Sequence, residues 1–280
     1  MKNVISDKVL GLQPSGIRKF FDIVSEMDDV ISLGVGEPDF DTPWHIRDEG
    51  IYSLERGRTF YTSNAGLKEL REEICRYLSR RCKVDYTIDE TLITVGGSEA
   101  IDLAMRVLLN PGDEVLTFAP YFGEYRAYVT NYGGILKEVE PNTETFQPNL
   151  KKFEQMLSEK TKAVIVNTPN NPTGVVYSEA TIQKMAAILE TKQKEFGTSI
   201  YLISDEPYRE LAYDGVEVPY LTKYYRNTIV GYSFSKSLSL PGERIGYLVM
   251  PDELDGAKDI IAAAAVANRI LGYVNAPSLF

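Results

Sequence analysis

Six short apolar runs, rich in β-branched residues, punctuate the chain: TLITV (91–95), EVLTF (114–118), ILKEV (135–139), AVIVN (163–167), IYLIS (200–204) and TIVGY (228–232). Around and between them, apolar residues recur at helical spacing over 43–56, 66–81, 98–109, 121–132, 149–158, 178–195 and 253–273. Strands buried on both faces read as unbroken apolar runs, and joining two parallel strands takes a crossover long enough for a helix. The alternation predicts an α/β fold of three layers, with a mostly parallel central sheet between helices. Ser98 stands where an N-cap would open the helix over 98–109, and Asn110-Pro111-Gly112 would stop it. A further amphipathic helix is predicted over 17–27 (IRKFFDIVSEM), ahead of the turn-rich GVGEPDFDTP.

A chain of 280 residues can bury a large core, in one large domain or one and a half ordinary ones. The net charge of −10, with no long basic run, argues against a non-specific nucleic-acid binder and leaves local binding of a small anion open. One histidine, His45, excludes a multi-histidine zinc site, and no CxxC pair occurs. Cys75 and Cys82 lie seven apart on a predicted helix, too far for a disulfide, so reduced thiols in the cytoplasm are expected. The N-terminus lacks a secretory pattern. The late apolar segment DIIAAAAVANRILGYV is interrupted by Asp259, Asn268 and Arg269, which predicts a buried helix and no membrane association.

Chemistry-bearing residues fall just after the predicted strands, where open α/β sheets bind ligands. Gly96, Gly97 and Ser98 form either a tight turn or a phosphate site at a helix N-terminus. NTPNNPTG (167–174) is a turn, or a turn that aims the Asn171 amide at a bound ring. Asp205, off the run IYLIS, either caps the next turn or pairs with a cation such as a pyridinium N–H; Tyr208 could reach a phenolic oxygen on the same ring. In YSFSKSLSLPGERIGY (232–247), Lys236 is a solvated lysine or an amine that forms a Schiff base. Arg244 is a surface ion-pair residue or a bidentate phosphate clamp, with Ser233 and Ser235 adding hydroxyls. Tyr121, Phe122 and Tyr125 offer a flat face for stacking, or plain packing. Amine, carboxylate, phosphate cradle, guanidinium and aromatic face together are what a pyridoxal phosphate site needs.

In order, GEPDFDTP (36–43), YTSNAG (61–66), GGSEA (96–100), NNPTG (170–174), DEPY (205–208) and SFSKSLSLPGERIG (233–246) resemble the fold-type I, class I/II aminotransferases related to the aspartate and aromatic enzymes. The resemblance implies pyridoxal 5'-phosphate as cofactor and transfer of an amino group from an L-amino acid to a 2-oxo acid in ping-pong half reactions. It implies that Lys236 carries the cofactor as an internal aldimine and shuttles the proton, and that Asp205 partners the ring nitrogen. Asn171 and Tyr208 would donate to the ring oxygen, Phe122 would stack on the ring, and Gly97, Ser98, Ser233 and Arg244 would hold the phosphate. Tyr61 would reach the phosphate of a neighbouring subunit in a homodimer with shared sites, and the Gly36 backbone would contact substrate.

Residues 1–40 are then expected to form an N-terminal arm and part of a small domain, and 41–280 the cofactor-binding large domain. The rest of the small domain, with the arginine that clamps the substrate carboxylate, is expected to be absent; Arg18 and Arg269 do not lie in the matching motif. The isolated chain is therefore expected to be inactive or weak. Related alternatives are a C–S β-lyase acting on cystathionine-type substrates and a non-catalytic effector-binding domain, although no basic helix-turn-helix precedes the fold.

Overall fold

A computed structural model describes residues 4–10, 27, 29–31 and 36–271, and the chain divides into two units at Asp41/Thr42. In the first unit, one helical turn, Asp7–Leu10, is described, and Gly36 is exposed. The helix expected over 17–27 lies, apart from Met27, outside the described residues.

The second unit opens with two helices, α1 (Trp44–Glu55) and α2 (Lys68–Cys82). Strands and helices then alternate: β1 (Thr91–Val95), α3 (Gly96–Leu108), β2 (Glu114–Phe118), α4 (Tyr125–Thr130) and β3 (Ile135–Val139). After these come α5 (Leu150–Met156), β4 (Thr161–Asn167), α6 (Glu179–Phe196) and β5 (Tyr201–Asp205). The chain continues through β6 (Thr228–Ser233), α7 (Phe234–Ser237), β7 (Ile245–Val249) and α8 (Ala257–Leu271). The sheet order is β1-β7-β6-β5-β4-β2-β3. Its pairs are parallel except those of β7, which runs antiparallel to both β1 and β6.

Alternate residues of each central strand enter opposite layers. Ala163, Ile165, Tyr201, Ile203, Ile229 and Leu248 pack with α3, α4 and α8. Val164, Val166 and Leu202 pack with α5 and α6, while Ile93, Val230, Tyr232, Tyr247 and Val249 pack with α2. This is the expected three-layer α/β/α architecture. Helix α6 starts on a Ser178 side chain that accepts from Thr181 N–H and stops at Gly197 in the left-handed region, as capping chemistry requires.

Two expectations need correction. IGYLV is a seventh strand, invisible as a separate element because it begins directly after the motif ending in Arg244 and is buried along its whole length. Ser98 is not the N-cap of α3. Gly96, at φ +75°, turns the chain straight from β1 into the helix, and the Glu99 side chain accepts from Val95 N–H, so the cap comes from inside the first turn.

Candidate active site

Because β7 alone is reversed, the C-terminal ends of the other six strands gather on one edge of the sheet. Register sets side chains level there: Asn167, Asp205 and Gly231 are partners across β4, β5 and β6. Thr94, Gly246 and Ser233 are partners across β1, β7 and β6.

Asp205 is the last residue of β5 and is buried. Tyr125 O–H donates to its Oδ2 at 2.5 Å, and Asn167 Nδ2 donates to its backbone oxygen at 2.9 Å. Burial pushes the carboxyl up to about 7, against the Tyr125 hydrogen bond and with a smaller push from the Glu206 charge. A phenol is a weak partner for a buried carboxylate; a cationic N–H delivered by a ligand would favour its ionised form.

Asn167 also organises the neighbouring turn. Its Oδ1 accepts from Asn171 N–H at 2.6 Å, and Asn171 Nδ2 donates to the Tyr208 hydroxyl at 3.0 Å. Asn171 and Tyr208, 37 residues apart, thus present one amide–phenol pair beside Asp205's strand. Burial raises the Tyr208 phenol above its ordinary value, opposed by the Asn171 hydrogen bond, so it stays a neutral donor. Phe122, after β2, is partly buried and lies edge-on to Tyr125 at 5.7 Å.

A separate group forms where β1 enters α3. A Cβ on Gly96 would meet Arg244 Nη2 at 2.5 Å, and one on Gly97 would meet Ser233 Cβ at 3.2 Å. Glycine at both positions lets the guanidinium and a serine close on the helix N-terminus, where N–H groups and dipole favour an anion. Arg244 itself has φ +55° and donates to Pro241 O at 3.0 Å. Ser233 Oγ accepts from Ser235 N–H at 3.2 Å and lies 2.8 Å from Ser235 Oγ. Beside Ser98 opens a cavity of about 490 Å³ lined by Val95, Ser98, Glu99, Asp102 and Tyr128. Glu99 sits there in the first turn of α3, and burial raises its carboxyl to about 7, which weakens its competition with an incoming anion.

Gly246 holds this corner together. A Cβ there would lie 2.4 Å from Tyr232 O and 2.7 Å from the Gly96 carbonyl carbon, both backbone atoms that cannot swing aside. Gly246→Ala is expected to cost about 3 kcal/mol or more of stability, measured as a lowered urea midpoint.

Lys236 is the third residue of α7, one turn beyond β6, and is partly buried. Of the sequence-predicted residues, the structure pairs Asn171 with Tyr208 and brings Ser233 close to Gly97, while Ser98, Phe122, Asp205, Lys236 and Arg244 stand on segments at the same sheet edge. Tyr61 is not brought in: it is 92% exposed on the loop ahead of α2. Gly36 belongs to the first unit. Sequence reasoning missed Asn167 as a hub and Tyr125 as the partner of Asp205. Nothing in the sequence marks a contact spanning 80 residues.

A three-layer α/β/α unit with this sheet edge is the architecture of the large domain of fold-type I pyridoxal-phosphate transferases. Residues 28–276 match the family Aminotransferase class I and II. A putative aminotransferase of Bacillus subtilis, YugH, is 42% identical over 261 residues, 92% of this chain; the chain spans 66% of that relative, just under two thirds of its length. An aminotransferase structure from Eubacterium rectale superposes with a TM-score of 0.92 at 40% identity, covering 99% of this chain and 73% of that one. The Thermus thermophilus aspartate aminotransferase with maleate gives a TM-score of 0.86 at 33% identity, covering 96% and 68%. The chain belongs to the class I and II aminotransferase family.

Proposed function

We propose that the protein of which this chain is part transfers an amino group from an L-amino acid to a 2-oxo acid, with pyridoxal 5'-phosphate held at the sheet edge described above. The observation that carries the reading is the fit of separate donor sets to the separate ends of that cofactor. The Gly96–Gly97 corner suits the phosphate, since the bare backbone there lets Arg244 and Ser233 close on the helix N-terminus. Buried Asp205 suits a protonated ring nitrogen. The Asn171–Tyr208 pair suits the phenolic oxygen, Phe122 the ring face, and Lys236 Nζ the aldehyde.

When bound, the cofactor supplies an electron sink for the pair left on the amino acid's Cα. Lys236 would supply the mobile base: its amine would take the Cα proton at Nζ and pass it on to the carbon that was the cofactor's aldehyde, not back to Cα. Asp205, ionised against the ring cation, keeps that cation protonated. Tyr125 O–H fixes the carboxylate's orientation. Asn171 keeps the Tyr208 hydroxyl aimed in one direction. Tyr61, exposed and aromatic, would serve a second subunit in a homodimer.

The test is an absorbance spectrum of the purified chain with pyridoxal phosphate, before and after L-glutamate. A visible band that L-glutamate converts to the pyridoxamine form supports amino transfer. Pyruvate released from cystathionine with no amino exchange would replace it with lyase chemistry. A folded chain that gives no protein-linked band would remove the reading from this polypeptide.

A further inference from the structure

The turn that carries Lys236 is tied to the turn after Tyr208 by side chains outside the proposed cofactor contacts. Glu210 lies in the 3₁₀ turn Arg209–Leu211. Tyr77 of α2 donates to its Oε1, and Tyr232 of β6 donates to its Oε2 at 2.7 Å. The Tyr232 hydroxyl also lies 2.8 Å from Ser237 Oγ, on the residue next to Lys236. A phenol has one proton, and a carboxylate is the stronger acceptor. With that proton committed to Glu210, Tyr232 accepts from Ser237. The bonds thus run in one direction, from Ser237 through Tyr232 to Glu210, and each polarises the next.

The middle member has little freedom. Tyr232 is 3% exposed, its ring stacks on Tyr247 at 4.9 Å, and Phe234 packs edge-on against it at 5.3 Å. Burial first, then the Glu210 charge, holds the phenol far above its ordinary value, so it remains a proton donor throughout the working pH range. Helix α7 has four residues, too few to stand alone, and Leu238 N–H to Phe234 O at 3.2 Å closes its single turn. Ser233 ties the start of that turn and Ser237 its end.

We propose that Glu210, Tyr232 and Ser237 are positioning residues that lock the Lys236 turn against the Asp205–Tyr208 segment, so that the lysine amine is presented in one orientation. The proposal rests on the reading of Lys236 as the cofactor-linked lysine, and two measurements separate the two. The first is amide hydrogen exchange on the cofactor-free chain. Tyr232→Phe and Ser237→Ala are expected to speed exchange over residues 235–238 about tenfold, with β2 and β4 unchanged. The second is circular dichroism of the lysine-linked band, divided by its absorbance. It is expected to fall at least about twofold in both variants and to recover in Ser237→Thr, which keeps the hydroxyl. Wild-type exchange and dichroism in Tyr232→Phe and Ser237→Ala would overturn the proposal. So would general loosening of the body with no rescue by Ser237→Thr. If the wild-type chain forms no lysine-linked band, the functional reading fails and the exchange result alone decides the tie.

Discussion

Lys236→Ala is expected to abolish covalent cofactor attachment altogether. In the wild-type chain incubated with pyridoxal phosphate, borohydride reduction should leave a permanent adduct, and peptide mass mapping should place it on the peptide containing Lys236. The alanine variant should carry none above the background spread over the remaining lysines. The cause is chemical: alanine has neither an amine to hold an aldehyde nor a base to move the Cα proton. Proton removal by a positioned base contributes about 10²–10⁴ in rate, so half-transamination should fall by at least about a hundredfold. Stability should barely change, because Lys236 is only partly buried on a one-turn helix. An adduct that persists in Lys236→Ala at wild-type stoichiometry would assign the site to another lysine.

Asp205→Asn is expected to separate stability from function. Unfolded, Asp205 releases its proton near 3.8; folded, burial delays release to about 7. Between those values the native state holds a proton that the unfolded chain has lost. Stability therefore falls as pH rises from about 4 to about 7 and is level above that. The three-unit difference corresponds to about 4 kcal/mol at most. Asparagine removes the charge but brings an N–H₂ that needs acceptors, which offsets about 1–3 kcal/mol of the gain. The cofactor-free variant should thus be more stable than wild type by about 1–3 kcal/mol at pH 8 and no more stable at pH 4.5, in urea melts at both values. Its amino-transfer rate should nonetheless drop at least about a hundredfold, since a neutral amide cannot hold a ring cation. Equal destabilisation at both pH values would show that Asp205 is not a strained anion in the empty site.

Both effects trace to residues that the sequence exposed by their place after apolar runs. Asp205 follows IYLIS, Asn171 follows AVIVN, and Lys236 follows TIVGY. Each run is short and continuous because its strand is buried on both faces, so the helical stretches between them had to be crossovers. Six of the seven strands and the main helices were legible for that reason. The seventh strand was not, because IGYLV carries no turn signal separating it from the motif before it. The cap of α3 was misread for a related reason: Glu99 and Gly96 supply the cap together, and the sequence shows a serine in a plausible place.

Local pattern alone determined which segments are strands and helices and which residue types stand at strand ends, because hydrophobic periodicity and turn chemistry act over a few residues. The tertiary structure decided the pairings. Tyr125 meets Asp205 across 80 residues, Asn171 meets Tyr208 across 37, and Tyr77 meets Glu210 across 133. Strand order and register place those atoms, and both are set by how whole layers pack, a property that no short window of sequence contains.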